Sequence, residues 1–193
     1  EQGWQKLFDG VSLNQWMCPY ADHGWTVRDG CIELAAPVGN KRNLYTVESY
    51  ENFILELEFQ LEPGVNSGIF LRTVDVADPV NTAIEMQIFD SYGDSELTPK
   101  TCGAVYGLVP PAVNACKPAG SWNAVRITCD GPHIFIVLNN VHVARINVAE
   151  HTEPGVNPRD GSKTKFRYAW ADLPRRGRIG LQDHGGKIRF RNI

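Results

Sequence analysis

The sequence predicts an all-β chain made of two packed antiparallel sheets. Three observations carry this reading. Segments in which apolar and polar residues alternate with period two recur from one end to the other. Turn signals such as Asp29-Gly30, Pro63-Gly64 and Asn139-Asn140 punctuate them. No stretch repeats its apolar residues at helical spacing over a useful length. The 193 residues show no linker, repeat or low-complexity run, which predicts a single sandwich domain over residues 1–193.

Taken in order, Trp4 to Phe8 leads into a turn at Asp9-Gly10. Trp25 and Val27 are followed by Asp29-Gly30 and then Cys31, Ile32 and Leu34, the pattern of a tight hairpin. Leu44 to Val47 reads as a short strand. Phe53 to Leu61 is the clearest half-buried strand: Phe53, Leu55, Leu57, Phe59 and Leu61 share one face, and Glu56, Glu58 and Gln60 make a solvated other face. Ser67 to Thr73 follows the Pro63-Gly64 turn. Ser91 to Ala119 is rich in Gly, Pro, Ser and Ala and reads as a long loop over a rigid sheet. Trp122 to Cys129, His133 to Leu138 and Val141 to Ile146 read as framework strands, the last two joined at Asn139-Asn140. Val148 to Arg176 is polar and aperiodic, and is expected to be an extended surface loop forming one wall of a cleft. Arg178 to Leu181 and Lys187 to Ile193 close the chain around Gln182-Asp183-His184-Gly185-Gly186.

The candidate site is centred on Ala83 to Asp90. Ile84, Met86 and Ile88 fall on one side and Glu85, Gln87 and Phe89 on the other. An acid, an amide and an aromatic ring on one face suit a sugar, although a half-buried strand facing plain solvent shows the same alternation. Asp90 falls on the apolar side unless a bulge turns it. If Ile69 and Leu71 face the core, Gly68, Phe70 and Arg72 share the face of Glu85, so Arg72 is expected near Glu85, as a substrate-binding guanidinium or a structural ion pair. Tyr106 is placed to stack on a sugar or to anchor the loop. By the same period, Gln182 and His184 lie opposite Ile179 and Leu181. His184, able to act as acid, base or metal ligand, is either functional or a cap on the following turn.

The net charge of −3 and the scattered Lys and Arg argue against nucleic acid as a partner. No apolar run approaches the roughly 20 residues needed for a membrane span. Glu1 to Trp4 does not read as a signal segment, so the expectation is either a cytoplasmic protein or an exported one without its leader. Cys18, Cys31, Cys102, Cys116 and Cys129 contain no Cys-x-x-Cys pair, which argues against a zinc site or a dense disulfide framework. One bridge is open to consideration: Cys102 and Cys116 bracket a Gly- and Pro-rich loop that it would pin.

The combination of several motifs resembles the DUF1080 proteins, the 3-keto-disaccharide hydrolase family. These are Gly3-Trp4 with Leu7-Phe8-Asp9-Gly10, then Trp16, Trp25 and Asp29-Gly30; Asn66-Ser67-Gly68-Ile69 with Arg72; and Glu85-x-Gln87-Ile88-x-Asp90. Gly103-Ala104-x-Tyr106, Trp122-Asn123, Gly180 through Gly185 and Phe190-Arg191-Asn192-Ile193 complete the set. The resemblance spans essentially the whole chain. It implies a concanavalin A-like jelly-roll sandwich, activity on glycosides oxidised at C3, and a bacterial, often exported, hence periplasmic, setting. A sugar 3-dehydrogenase in the same pathway would then be a partner.

An ordinary glycosidase needs two carboxyl groups roughly 5–9.5 Å apart. Glu85 and Asp90 are separated by about 16 Å of extended strand, which makes that route unfavoured. In a 3-keto sugar the ketone acidifies the C2 proton, so a base can remove it, the C1 substituent can leave, and water can then add to the enone. This reading assigns His184 or Glu85 as base, Arg72 as enolate stabiliser and Tyr106, or the remaining member of the pair, as acid. Asn66, Gln87, Asp90 and Gln182 would bind hydroxyls. A divalent cation held by Glu85, Asp90 and His184 could replace Arg72, though no ligand spacing supports it. The competing readings are a non-catalytic carbohydrate-binding module and a two-carboxylate glycosidase.

Overall fold

The computed structural model describes residues 3–38 and 42–193. Its strands are β1 Trp16–Met17, β2 Trp25–Arg28, β3 Cys31–Leu34, β4 Leu44–Thr46, β5 Phe53–Leu61, β6 Asn66–Thr73, β7 Ile84–Phe89, β8 Asn123–Asp130, β9 His133–Leu138, β10 Val141–Asn147, β11 Arg178–Leu181 and β12 Ile188–Arg191. A four-residue helix, α1 Pro79–Thr82, and two 3-10 turns are the helical elements among the described residues. The strands form a five-stranded sheet in the order β1-β4-β11-β6-β7 and a seven-stranded sheet in the order β10-β9-β8-β5-β12-β3-β2. Every strand pair is antiparallel. The all-β, two-sheet expectation is what the chain adopts.

The alternation in β5 explains how the sheets meet. Leu55, Leu57, Phe59 and Leu61 are buried, with Val125 and Ile127 of β8, Ile136 of β9 and Phe190 of β12 in the same core. Ile69 and Leu71 of β6, Met86 and Ile88 of β7 and Leu181 of β11 enter that core from the smaller sheet. On the outer face of β5, Glu56 pairs with Arg126 directly across the ladder, and Glu58 meets Arg191 at 2.7 Å. Solvent-exposed pairs of this kind contribute at most about 1 kcal/mol each. Two hairpins close as the sequence predicts: Asp29-Gly30 and Asn139-Asn140 all have positive φ (51°, 71°, 51° and 66°), as a type I′ turn requires.

The segment 148–176 departs from the expected surface loop. Phe166, Ala169 and Trp170 are buried in it, and His151 is fully enclosed. The Phe166 and Trp170 rings lie 4.8 Å apart, and the Trp170 backbone N–H donates to His151 Nδ1 at 2.9 Å. Its large buried side chains, Phe166 and Trp170, are not spaced with any regular period, so they pack as isolated plugs and leave no period to read. A second buried cluster, Tyr45, Phe70 and Ala83 with Met17 and Val76 against it, lies apart from the main core. Phe70 and Tyr45 flank Gly180 across the ladder, so this cluster covers the outer face of the five-stranded sheet.

Candidate functional site

The outer face of the five-stranded sheet is organised by its register. One row runs Tyr45, Gly180, Phe70, Glu85 across β4, β11, β6 and β7. In the next row Gly68 sits opposite Gln87, and the Gln182 backbone N–H donates to the Gly68 carbonyl at 3.0 Å. Residues 103–106 extend this face beyond β7 as a strap. Gly103 N–H donates to the Gln87 carbonyl at 2.9 Å, Gln87 N–H to the Ala104 carbonyl at 3.0 Å and Tyr106 N–H to the Glu85 carbonyl at 2.9 Å. This pairing sets Tyr106 next to Glu85 on the same face, because directly opposed residues of paired strands share a face.

Glycine at position 68 has a steric reason. A Cβ there would stand 2.2 Å from Glu85 Oε1, so the missing side chain is the slot that the carboxyl occupies. Glu85 reaches through that slot to the side-chain amide of Gln182. Glu85 is only 7 % exposed, and this burial pushes its carboxyl pKa up to about 8; the Lys165 ammonium and the Gln182 hydrogen bond only partly oppose that rise. Gln182 Oε1 is itself buried without a partner among the described residues, an acceptor left open beside the carboxyl. The Lys165 ammonium donates to the Tyr106 hydroxyl at 3.1 Å and lies 4.2 Å from the centre of its ring. Gln87 Nε2 donates to Asn66 Oδ1 at 3.2 Å, linking the slot to the start of β6.

Glu85, Gln182, Tyr106 and Lys165 are therefore brought together, with Gln87 and Asn66 adjoining. His184 is not. β11 ends at Leu181, the chain bends at residues 184–186, and His184 is exposed in a cleft of about 560 Å³ with Pro37, Gly64, Val65 and Asn66. Asn66 is common to the slot and the cleft.

Two expectations are corrected. Arg72 does not share the face of Glu85. The β6–β11 register shifts between the pairs Arg178 with Thr73 and Gly180 with Phe70, and Arg72 takes a positive φ of 54°. This bulge turns its side chain away, and the guanidinium donates to the Glu51 carbonyl at 2.8 Å, the Gly131 carbonyl at 2.7 Å and Asn52 Oδ1 at 3.3 Å. Asp90 lies beyond the end of β7, where its Oδ2 accepts from Gly64 N–H at 2.8 Å and its own N–H donates to the Val65 carbonyl at 3.0 Å. It fastens the β5–β6 turn. Glu85, Asp90 and His184 thus do not converge as ligands, and among the described residues no group of three or more His, Cys, Asp or Glu side chains does so.

Lys165 was not foreseen, because it comes from the aperiodic 148–176 segment and its neighbours carry no motif. A separate groove of about 480 Å³ lies between residues 4–10, Ile54–Glu56 and the chain end; of its two acids, Asp9 is engaged by the Val11 and Ser12 backbone N–H groups and the Ser12 hydroxyl, and Glu56 by Arg126.

The two-sheet sandwich, with an acid, amides and a tyrosine on the outer face of its smaller sheet, has the concanavalin A-like jelly-roll fold. The family model described as the 3-keto-alpha-glucoside-1,2-lyase-like domain matches residues 3–193, and the chain belongs to that family. It is 27 % identical over 223 residues to a protein of Bacteroides thetaiotaomicron named 3-keto-disaccharide hydrolase, covering 99 % of this chain and 77 % of that one. A crystal structure of a putative glycosyl hydrolase from Parabacteroides distasonis superposes with a TM-score of 0.79 at 32 % identity, covering 93 % of this chain and 97 % of that one. The CBM66 carbohydrate-binding module of Bacillus subtilis superposes with a TM-score of 0.58 at 11 % identity, covering 92 % of each chain, a likeness of fold alone. The chain is a glycoside hydrolase-like protein.

Proposed function

We propose that the protein cleaves glycosides carrying a ketone at C3, by elimination across C1–C2 followed by hydration, with Glu85 as the base. The observation that carries this reading is the Glu85 carboxyl in the Gly68 slot, its pKa pushed up to about 8 by burial. A carboxylate that holds a proton until pH 8 is a stronger base than an ordinary one, and it sits near neutrality, where proton transfer is most effective.

Glu85 takes the proton from C2, whose acidity comes from the neighbouring ketone, and the C2–H electron pair moves toward the carbonyl as an enolate. The Lys165 ammonium offers positive charge to that oxygen, the role expected of Arg72 before the bulge moved it. The enolate pair then forms the C1–C2 double bond as the C1–O bond breaks, and the departing oxygen takes a proton from the Tyr106 hydroxyl. Water adds to C1 of the enone, its proton restores Tyr106, and C2 recovers a proton from Glu85, so the sum is hydrolysis. Gln182 through its open Oε1, with Gln87 and Asn66, binds hydroxyls, and His184 contacts the substrate at the outer cleft.

A two-carboxylate mechanism fits less well, because Asp90 is fastened to the Gly64 backbone. The substrate must be supplied by a reaction that oxidises a sugar hydroxyl at C3. The exported setting is retained as part of the proposal, to be tested by cell fractionation. The mechanism is tested with a 3-keto glucoside deuterated at C2. Elimination predicts a several-fold slower release and near-complete loss of turnover in Glu85→Gln. Release at equal rates from both isotopologues, with Glu85→Gln fully active, would refute it.

A further inference from the structure

We propose that Cys102 and Cys116 form a thiol–disulfide site that locks the Tyr106-bearing strap onto the edge of the five-stranded sheet. Both cysteines are buried in the core, and both are unbridged. They converge on the end of β7. Cys116 Sγ lies 3.7 Å from the Phe89 carbonyl oxygen and 3.4 Å from that of Lys117, and Cys102 N–H donates to Ser91 Oγ at 3.3 Å.

Both flanking segments are held by hydrogen bonds. On one side Gly103–Tyr106 pairs with β7. On the other, Asn114 Nδ2 donates to the Ser91 and Asp94 carbonyls and Asn139 Nδ2 to the Ala115 carbonyl. The other cysteines are placed differently: Cys31 and Cys129 are buried on β3 and β8 of the larger sheet, and Cys18 follows β1.

The partners are unequal. The neighbouring Cys116 thiol and full enclosure hold the Cys102 pKa up, whereas the neighbouring Cys102 thiol lowers that of Cys116. Cys116 is also the more accessible, 5 % exposed against 0 %. The oxidant is a disulfide. The Cys116 thiolate attacks one of its sulfurs and expels a thiolate, giving a mixed disulfide. Cys102 then loses its proton and attacks the Cys116 sulfur, expelling the second thiolate. Two electrons and two protons pass to the oxidant, which leaves as two thiols.

The test uses the full chain incubated with oxidised glutathione or kept in a thiol reductant, followed by intact mass, peptide mapping and thermal melting. The expected result is a mass lower by two hydrogens, a linked Cys102–Cys116 peptide and a melting midpoint higher by about 6–12 °C, the effect of closing a loop of this length. In Cys116→Ala no internal bridge forms and the midpoint no longer responds to oxidation. Unlinked thiols in the oxidised wild type, a bridge mapped to another pair, or a bridged form that melts no higher than the reduced one would each overturn the proposal. Since these readouts involve no substrate, they stand independently of the catalytic reading.

Discussion

The Glu85 carboxyl occupies the space that a side chain at position 68 would fill, with Oε1 2.2 Å from where a Cβ of Gly68 would lie. Burial, basicity and placement of the proposed base all follow from that missing side chain. Gly68→Ala is expected to displace the carboxyl, lower kcat by at least about 100-fold and cost about 1–3 kcal/mol of stability. Steady-state kinetics and denaturant melts check both. Wild-type kcat in the variant would show that the slot is not the site.

Glu85 also ties stability to pH. Its pKa is about 8 in the folded chain and 4.5 as an ordinary glutamate, so the folded state holds the extra proton between those values. The associated stability is fully present below pH 4.5 and is lost as pH rises through about 8, at up to roughly 1.4 kcal/mol per pH unit. Glu85→Gln removes the titration. The difference between wild-type and variant unfolding free energies is therefore expected to move against the wild type from pH 5 to pH 8 and to level off above it.

His151 gives the opposite trend at acid pH. Burial lowers its pKa below 6.5, and its Nδ1 accepts from Trp170 N–H, so the folded state keeps it neutral. As pH falls below 6.5 the unfolded chain takes up the proton first, and stability declines until the folded-state pKa is passed. His151→Gln is expected to flatten that acid limb in melts at pH 4–7 after subtraction of the wild-type curve.

Lys165 depresses the Glu85 pKa, so removing its charge should raise it further. Lys165→Met is expected to lower kcat/KM by about 100-fold or more and to shift the rising limb of its pH profile to higher pH. Tyr106→Phe should lower kcat without that shift.

Arg72 carries the converse prediction. Its guanidinium holds three acceptors in the 51–52 and 131 turns, so Arg72→Met is expected to cost about 3–5 kcal/mol of stability. Activity per folded molecule, measured against active-site or folded-fraction titration, should stay within a few-fold of wild type.

The period-two patterns explain which parts were legible. The alternation of Ile84, Met86 and Ile88 with Glu85 and Gln87, and of Ile179 and Leu181 with Gln182, dictates which side chains share the outer face. That inference fails where the period is broken. At Leu71-Arg72 a bulge shifts the register, and a one-residue slip changes the face of a side chain. At Asp90 and His184 the strands have already ended, so alternation no longer dictates direction. Lys165 arrives from a segment whose place is set by the plugs Phe166 and Trp170, a tertiary constraint without a local signature. The motifs brought Tyr106 into view, but only the strap pairing with β7 places it beside Glu85.

The most direct test of the catalytic account compares matched glucosides that carry the same chromogenic leaving group, one with a ketone at C3 and one unoxidised, with and without chelator. The account predicts release from the keto form alone, abolished in Glu85→Gln. Release from the unoxidised glucoside, or saturable binding of the keto form with no release, would contradict it.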